Sequence, residues 1–115
     1  MPGNDASLTI ARSTASGWTI LDVDGDLDMA SAPDLGKAVA ETADVGSGPH
    51  RFALDLEGVG FIDSSGLRTL LTVRKEIDAT FVLVNPSSAV TDLLDLTLLN
   101  DAFTVVEDLN ALDSI

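Results

Sequence analysis

The sequence predicts a single α/β domain, a mixed sheet of four or five strands covered by about four helices. Three observations predict it. Two strand-like runs come first, and helix-like and strand-like runs then alternate to the end, the order expected of a mixed sheet with helices packed on it. The chain has 115 residues, 45% of them hydrophobic and 22% charged, a composition that buries one core and is far from a disordered one. No internal repeat or low-complexity linker divides it. Residues 1–7 are polar and expected to be a flexible N-terminus, with the domain occupying 8–115.

The elements follow in order. Leu8–Ala11 and Trp18–Val23 read as short strands separated by the turn-like cluster Ser13-Thr14-Ala15-Ser16-Gly17. Ser31 to about Ala43 reads as a helix. Ser31 is placed to cap it, Asp34 completes a capping box, and Leu35, Ala38 and Val39 give one apolar face. Gly46-Ser47-Gly48-Pro49 ends it. Arg51–Leu56 is the next strand, with Phe52, Leu54 and Leu56 alternating, and Ser64–Ile77 the next helix. Thr80–Val84 is a continuous apolar run, as expected in the middle of a sheet. Asn85-Pro86-Ser87-Ser88 opens a third helix whose apolar face is Val90, Leu93, Leu94 and Leu98. Phe103–Val106 is a last short strand, and Leu109–Leu112 a terminal helical turn.

Bulk charge narrows the partners. A net charge of −13 argues against DNA or RNA, whose phosphates are met by Lys and Arg. It equally disfavours an anionic membrane surface. The chain has no cysteine, which removes disulfides, a thiol nucleophile and a Cys-based zinc site. Met1–Leu8 lacks the basic flank and apolar stretch of a signal peptide. No apolar run approaches the roughly 18 residues of a spanning helix. A cytoplasmic location is expected.

The richest segment is F-A-L-D-L-E-G-V-G-F-I-D-S-S-G-L-R-T-L-L, Phe52–Leu71. It begins as a strand, turns abruptly at Asp63-Ser64-Ser65-Gly66, and continues with Leu67, Leu70 and Leu71 near helical spacing. Two hydroxyls therefore stand where a strand hands over to a helix. Free backbone N–H groups and the positive end of the helix dipole converge there, which suits a phosphate. An ordinary serine N-cap at Ser64 explains part of the pattern. Two details go beyond it. Gly66 falls in the first helical turn, at a cost of about 1 kcal/mol relative to alanine, and admits a close approach by a ligand or partner backbone. Neither serine has a Glu or Gln three residues later, so a reciprocal capping box is absent.

Other constellations fail on inspection. Asp22, Asp24, Asp26 and Asp28 alternate, so extended backbone puts them on one face. They do not form a calcium loop, because Gly25 comes too early and Pro33 stands where the bidentate glutamate belongs. A solvated acidic rim, suited to a basic partner surface, is the better reading. A nucleophile elbow at Ser64 requires glycine where Ile62 stands. The single histidine, His50, lies before the third strand, at the far end from Ser64. Gly58-Val59-Gly60 is a lone G-x-G without the third glycine of a dinucleotide site. No catalytic residue, metal site or cofactor is expected.

The segment resembles the signature of the STAS domain, especially of bacterial anti-sigma factor antagonists. The resemblance extends over nearly the whole chain. Gly25-Asp26-Leu27-Asp28 looks like the family's G-x-L-D element, Ala53-Leu54-Asp55-Leu56 like its strand before the phosphorylation loop, and Val84-Asn85 and the helix from Ala89 fit in order and spacing. It implies a STAS-like domain in which Ser64 is phosphorylated by a partner kinase. Asp63 precedes that serine, Ser65 and Gly66 complete the loop, and Asp28 is an acid near it. It further implies partner switching. The unphosphorylated domain binds an anti-sigma factor with a histidine-kinase-like ATPase fold and so frees a sigma factor. Phosphorylation breaks the complex and a separate phosphatase resets it. The same family also supplies scaffold modules of stress-signalling assemblies and accessory modules of transporters. Three positions depart from the family pattern. Arg68 stands where many relatives have a small residue. It reads either as an exposed, solvated arginine or, since helical side chains lean toward the N-terminus, as one whose guanidinium approaches Ser64. Asp78-Ala79-Thr80 is a shortened turn, and Leu98 takes a position often held by glycine. With Asp28, Asp63, Ser64, Ser65 and Gly66, Arg68 makes up the expected partner-binding surface.

Overall fold

The computed structural model describes residues 8–43, 50–76 and 79–114. The expected residue 1–7 tail, the Gly46-Ser47-Gly48-Pro49 turn, and Ile77 and Asp78 lie outside them. Five strands form one sheet in the order β1-β2-β3-β4-β5: β1 is Leu8–Ala15, β2 Trp18–Leu27, β3 His50–Ile62, β4 Ala79–Val84 and β5 Thr104–Val106. The β1–β2 pair is antiparallel and the others are parallel, so the sheet is mixed, as the element order predicts. Three α-helices accompany it: α1, Ala32–Ala43; α2, Ser64–Glu76; and α3, Ser88–Leu96. The remaining helical turns, Asn100–Ala102 and Leu109–Ser114, are 3-10.

The first two strands are longer than their sequence pattern indicates. The turn shrinks to Ser16-Gly17, with Ala15 paired to Trp18. Both turn residues have positive φ, 54° and 81°, the requirement of a two-residue hairpin whose twist matches its strands. Strand β3 also runs six residues past Leu56. Its pairing with β2 slips between Asp22 and Asp24 and again between Gly25 and Asp26. These bulges break the period of two. After Phe52, Leu54 and Leu56, the next buried residues are Val59 and Ile62, at steps of three.

The main core lies between the sheet and the helices. Phe52, Leu54 and Leu56 of β3 and Phe81 and Leu83 of β4 pack with Leu35 and Val39 of α1, Leu67, Leu70 and Val73 of α2, and Val90 and Leu94 of α3. A smaller cluster, Trp18, Ile20, Ala53, Val82 and Val84, fills the opposite face under Leu112. The Arg51 guanidinium lies 4.3 Å from the Trp18 ring centre. Because β4 is covered on both faces, Phe81 to Val84 are all buried, which accounts for its unbroken apolar run.

Two helix ends differ from expectation. The Ser31 hydroxyl does not cap α1. It donates to the Asp26 carbonyl at 2.6 Å and accepts from the Asp28 N–H at 3.0 Å, while the Asp34 N–H goes to the Ser31 carbonyl at 2.9 Å. The serine is buried, and it ties the β2–α1 loop together instead of forming a capping box. Leu98 is not on the α3 face. The helix stops at Leu96, and the Leu99 and Leu98 N–H groups reach back to the Leu94 and Asp95 carbonyls, the pattern of a Schellman stop. Leu98 sits at its left-handed position with φ 59° and is 87% exposed. This geometry is why glycine is favoured there. Replacing Leu98 by Gly is expected to raise stability by about 0.5–1 kcal/mol, seen as a higher midpoint in thermal or urea denaturation.

Asp22, Asp24 and Asp26 all lie exposed along β2, and Asp22 pairs in register with Asp55. Shallow burial raises the Asp22 carboxyl above its usual 3.8, and the charges of Asp24, Asp55 and Glu57 push it the same way. Between 3.8 and that raised value the folded chain holds more proton than the unfolded one, so this group's contribution falls as pH rises. Asp22→Asn is therefore expected to raise the melting temperature at neutral pH, with the gain shrinking on acidification toward 3.8.

Candidate functional site

The site forms where β2 and β3 end side by side. Leu27 and Ile62 are register partners, and the Asp63 N–H donates to the Leu27 carbonyl at 3.2 Å. The chain then turns at once into α2. The N-cap is Asp63 and not Ser64. One carboxylate oxygen, Oδ1, accepts from the Ser65 N–H at 2.9 Å and the Gly66 N–H at 3.1 Å, and the Asp63 carbonyl accepts the first helical bond from Leu67 at 3.0 Å. Aspartate is as good a cap as serine, and the Leu27 bond fixes the helix start one residue earlier than a Ser64 cap requires. Ser64 becomes the first helical residue. It is exposed, and its hydroxyl has no hydrogen bond among the described residues.

Gly66 is buried. A Cβ there would stand 2.4 Å from the Leu27 carbonyl oxygen and 2.8 Å from Leu27 Cγ. The close approach that the glycine permits is thus to Leu27 of the chain itself. It also explains the missing capping box, because the third helical position, where Glu or Gln would stand, is pressed against β2.

Asp28 follows Leu27 and is half-buried. Its Oδ1 accepts from the N–H groups of Ala30 and Ser31, each at 3.0 Å. The topology therefore brings Asp28 and Asp63 to one edge of the sheet, each carboxylate occupied with a local turn. Ser65 is half-buried. Arg68 is exposed, one helical turn beyond Ser64. It lines a groove of about 310 Å³ between α1 and α2, with Ala32, Pro33, Gly36 and Thr72. No ion pair to Arg68 forms among the described residues. Two further side chains stand beside this edge: Met29 in the β2–α1 loop, 75% exposed, and Phe61, two residues before Asp63, 49% exposed. Neither stands out in the sequence. Phe61 falls in the stretch where the bulges erase the period, and Met29 carried no signal beyond being apolar between Asp28 and Ala30.

The arrangement presents an exposed hydroxyl on a fixed turn, with the Asp63 carboxylate committed to capping that turn. His50 opens β3 at the far end of that strand. Among the described residues no group of His, Asp and Glu side chains is placed to hold a metal ion. No helix among them is long and apolar enough to cross a membrane.

These contacts separate capping from exposure. Asp63→Ala is expected to cost about 0.5–2 kcal/mol, and Ser64→Ala less than about 0.5 kcal/mol. Gly66→Ala is expected to cost about 1–3 kcal/mol, because backbone must move to admit the methyl group. Urea unfolding of the three variants checks the ranking.

Comparison with known proteins accords with this fold. Over 71 residues the chain is 30% identical to the anti-sigma-F factor antagonist RsfB of Mycobacterium tuberculosis. The match takes in 62% of this chain and 57% of that protein's length. The crystal structure of an anti-sigma factor antagonist from Mycobacterium paratuberculosis superimposes with a TM-score of 0.81 at 26% identity, covering 95% of this chain and 94% of that one. SpoIIAA of Bacillus in its phosphorylated form shares the fold, with a TM-score of 0.67 at 17% identity over 92% of this chain and 98% of that one. The model of the STAS domain matches residues 9–112. From Thr9 through Leu112, then, this chain belongs to the STAS domain family.

Proposed function

We propose that this protein is an anti-sigma factor antagonist, a binding switch without catalytic activity that is controlled by phosphorylation of Ser64. In this reading it acts in the cytoplasm. Unphosphorylated, it binds an anti-sigma factor that is also a serine kinase of histidine-kinase-like ATPase fold, and a sigma factor is released. A phosphatase restores the binding form. The observation that carries the reading is Ser64 itself, an exposed hydroxyl with no hydrogen bond among the described residues, on a helix turn that Asp63 caps without its help. The names of the Mycobacterium relatives support it.

The physics favours a switch of surface over a switch of fold. A phosphoserine adds about 1.5–2 negative charges. The start of α2 offsets on the order of 1 kcal/mol of that. Asp63 opposes it, since two unit charges about 5 Å apart repel by roughly 3 kcal/mol at an effective dielectric of 20. These forces act at the exposed rim of the turn, where water and salt screen them, while the Asp63–Leu27 hydrogen bond and the seating of Gly66 on Leu27 lie beneath it, so the joint is expected to hold. The docking surface changes far more. It combines exposed apolar groups, Met29 and Phe61, with the serine. Desolvating a phosphate beside them against a partner surface that offers no cation costs several kcal/mol, a hundredfold or more in affinity.

Substitutions at Ser64 test the proposal cleanly because the residue is not the cap. Ser64→Ala is expected to bind the anti-sigma factor like the unmodified protein. Ser64→Asp should bind at least about tenfold more weakly, a difference of 1.4 kcal/mol, while folding equally well. Affinity is read by titration calorimetry against the partner recovered from the native cell without ATP. The phosphate placed by that partner with ATP is mapped by mass spectrometry and is expected on Ser64. Equal binding by the two variants, or phosphate mainly on Ser65 or Thr69, would contradict the reading.

A further inference from the structure

The structure assigns Arg68 a role as the internal counter-ion of a phosphate on Ser64, an inference that rests on Ser64 being the modified residue. A helix start ordinarily receives an anion on its first free N–H groups. Here the Ser65 and Gly66 N–H groups are already taken by Asp63 Oδ1, and that carboxylate stands beside the incoming phosphate. The second acid at this edge, Asp28, is likewise bonded to its own loop. A phosphate on Ser64 therefore stands beside the Asp63 carboxylate, on an edge that also carries Asp28, at a partly occupied helix terminus. A cation within reach is favoured there.

Arg68 is the one basic residue between Ser64 and Val73, and the basic residues of the last turn of α2, Arg74 and Lys75, lie at the other end of the helix. Residues four apart on a helix have Cβ atoms about 5–6 Å from each other. Helical side chains lean toward the N-terminus, which carries the guanidinium toward Ser64. Arg68 is exposed and has no ion-pair partner to surrender among the described residues. A guanidinium offers phosphate two parallel N–H bonds, which an ammonium does not. In the unmodified protein Arg68 instead lines the α1–α2 groove. Pairing with the phosphate draws it from that surface, so the modification adds an anion and withdraws a cation in one step.

The test installs phosphoserine at position 64 during translation, so that it needs no kinase. Phosphorus NMR then follows the second ionisation of the phosphate in the otherwise native chain, in Arg68→Gln and in Arg68→Lys. A neighbouring cation favours the dianion. The native chain is expected to ionise about half a unit or more below Arg68→Gln, with Arg68→Lys in between, and the difference should shrink in high salt. A merely structural arginine would not move this signal. Identical titration of the native and Arg68→Gln phosphates overturns the counter-ion role. Failure of the phosphorylation reading is registered separately, by a phosphosite map that places the native modification elsewhere.

Discussion

The first turn of α2 rests directly on the last residue of β2. The Leu27 carbonyl receives the Asp63 N–H, and the same residue fills the space where a side chain on Gly66 would stand. This joint sets the direction of α2 and the residue at which it begins. Once the helix starts there, Asp63 falls where its carboxylate caps the turn, and Ser64 must point outward. The bulges in β3 serve the same joint. By letting β3 take up extra residues against β2, they bring Ile62 level with Leu27 and keep both side chains in the core. The site thus lies at the carboxyl ends of two adjacent parallel strands, the edge where open α/β sheets generally place their functional loops.

Charge is distributed in keeping with a switch at that edge. Much of the −13 net charge is spread over exposed positions, including the row on β2 with Asp55 and Glu57 nearby. The opening turn of α2 beyond its cap carries no acid. An added phosphate therefore changes the local field sharply, while the rest of the molecule, already strongly negative and screened by salt, scarcely registers it. The exposed Met29 and Phe61 are apolar groups of the kind that protein interfaces carry at their centres. Because these groups share one edge with Ser64 in the sequence and topology, a phosphate there would, on the proposed function, change both the charge and the wetting of the patch.

Much of this was legible in the sequence. Helical spacing located α1 and α2, the unbroken apolar run located β4, and the D-S-S-G stretch located the turn. The departures share a cause. Periodicity reports local backbone, whereas the decisive contacts come from distant residues. The pattern of β3 stopped at Leu56 because pairing with β2 inserts bulges that no local signal marks. Ser64 and Asp63 are equally good caps in isolation, and the Leu27 carbonyl decides between them. Gly66 read as room for a partner because Leu27, thirty-nine positions earlier, was not visible as its neighbour. Leu98 fitted the α3 face by spacing, but the backbone bonds of Leu98 and Leu99 end the helix first.

Phosphate on Ser64 is expected to alter one edge of the molecule and leave the fold in place. Backbone amide NMR spectra of the unmodified protein and of the protein carrying phosphoserine at position 64 test it most directly. Shifts are expected only at the end of β2 and the loop through Ser31, in the first turns of α1 that share the groove with Arg68, at the end of β3 and in the first two turns of α2, with β1, β4 and α3 unchanged. Shifts or loss of amide protection spreading through the sheet to β1 and β4 would contradict it, because the modification would then act by loosening the fold.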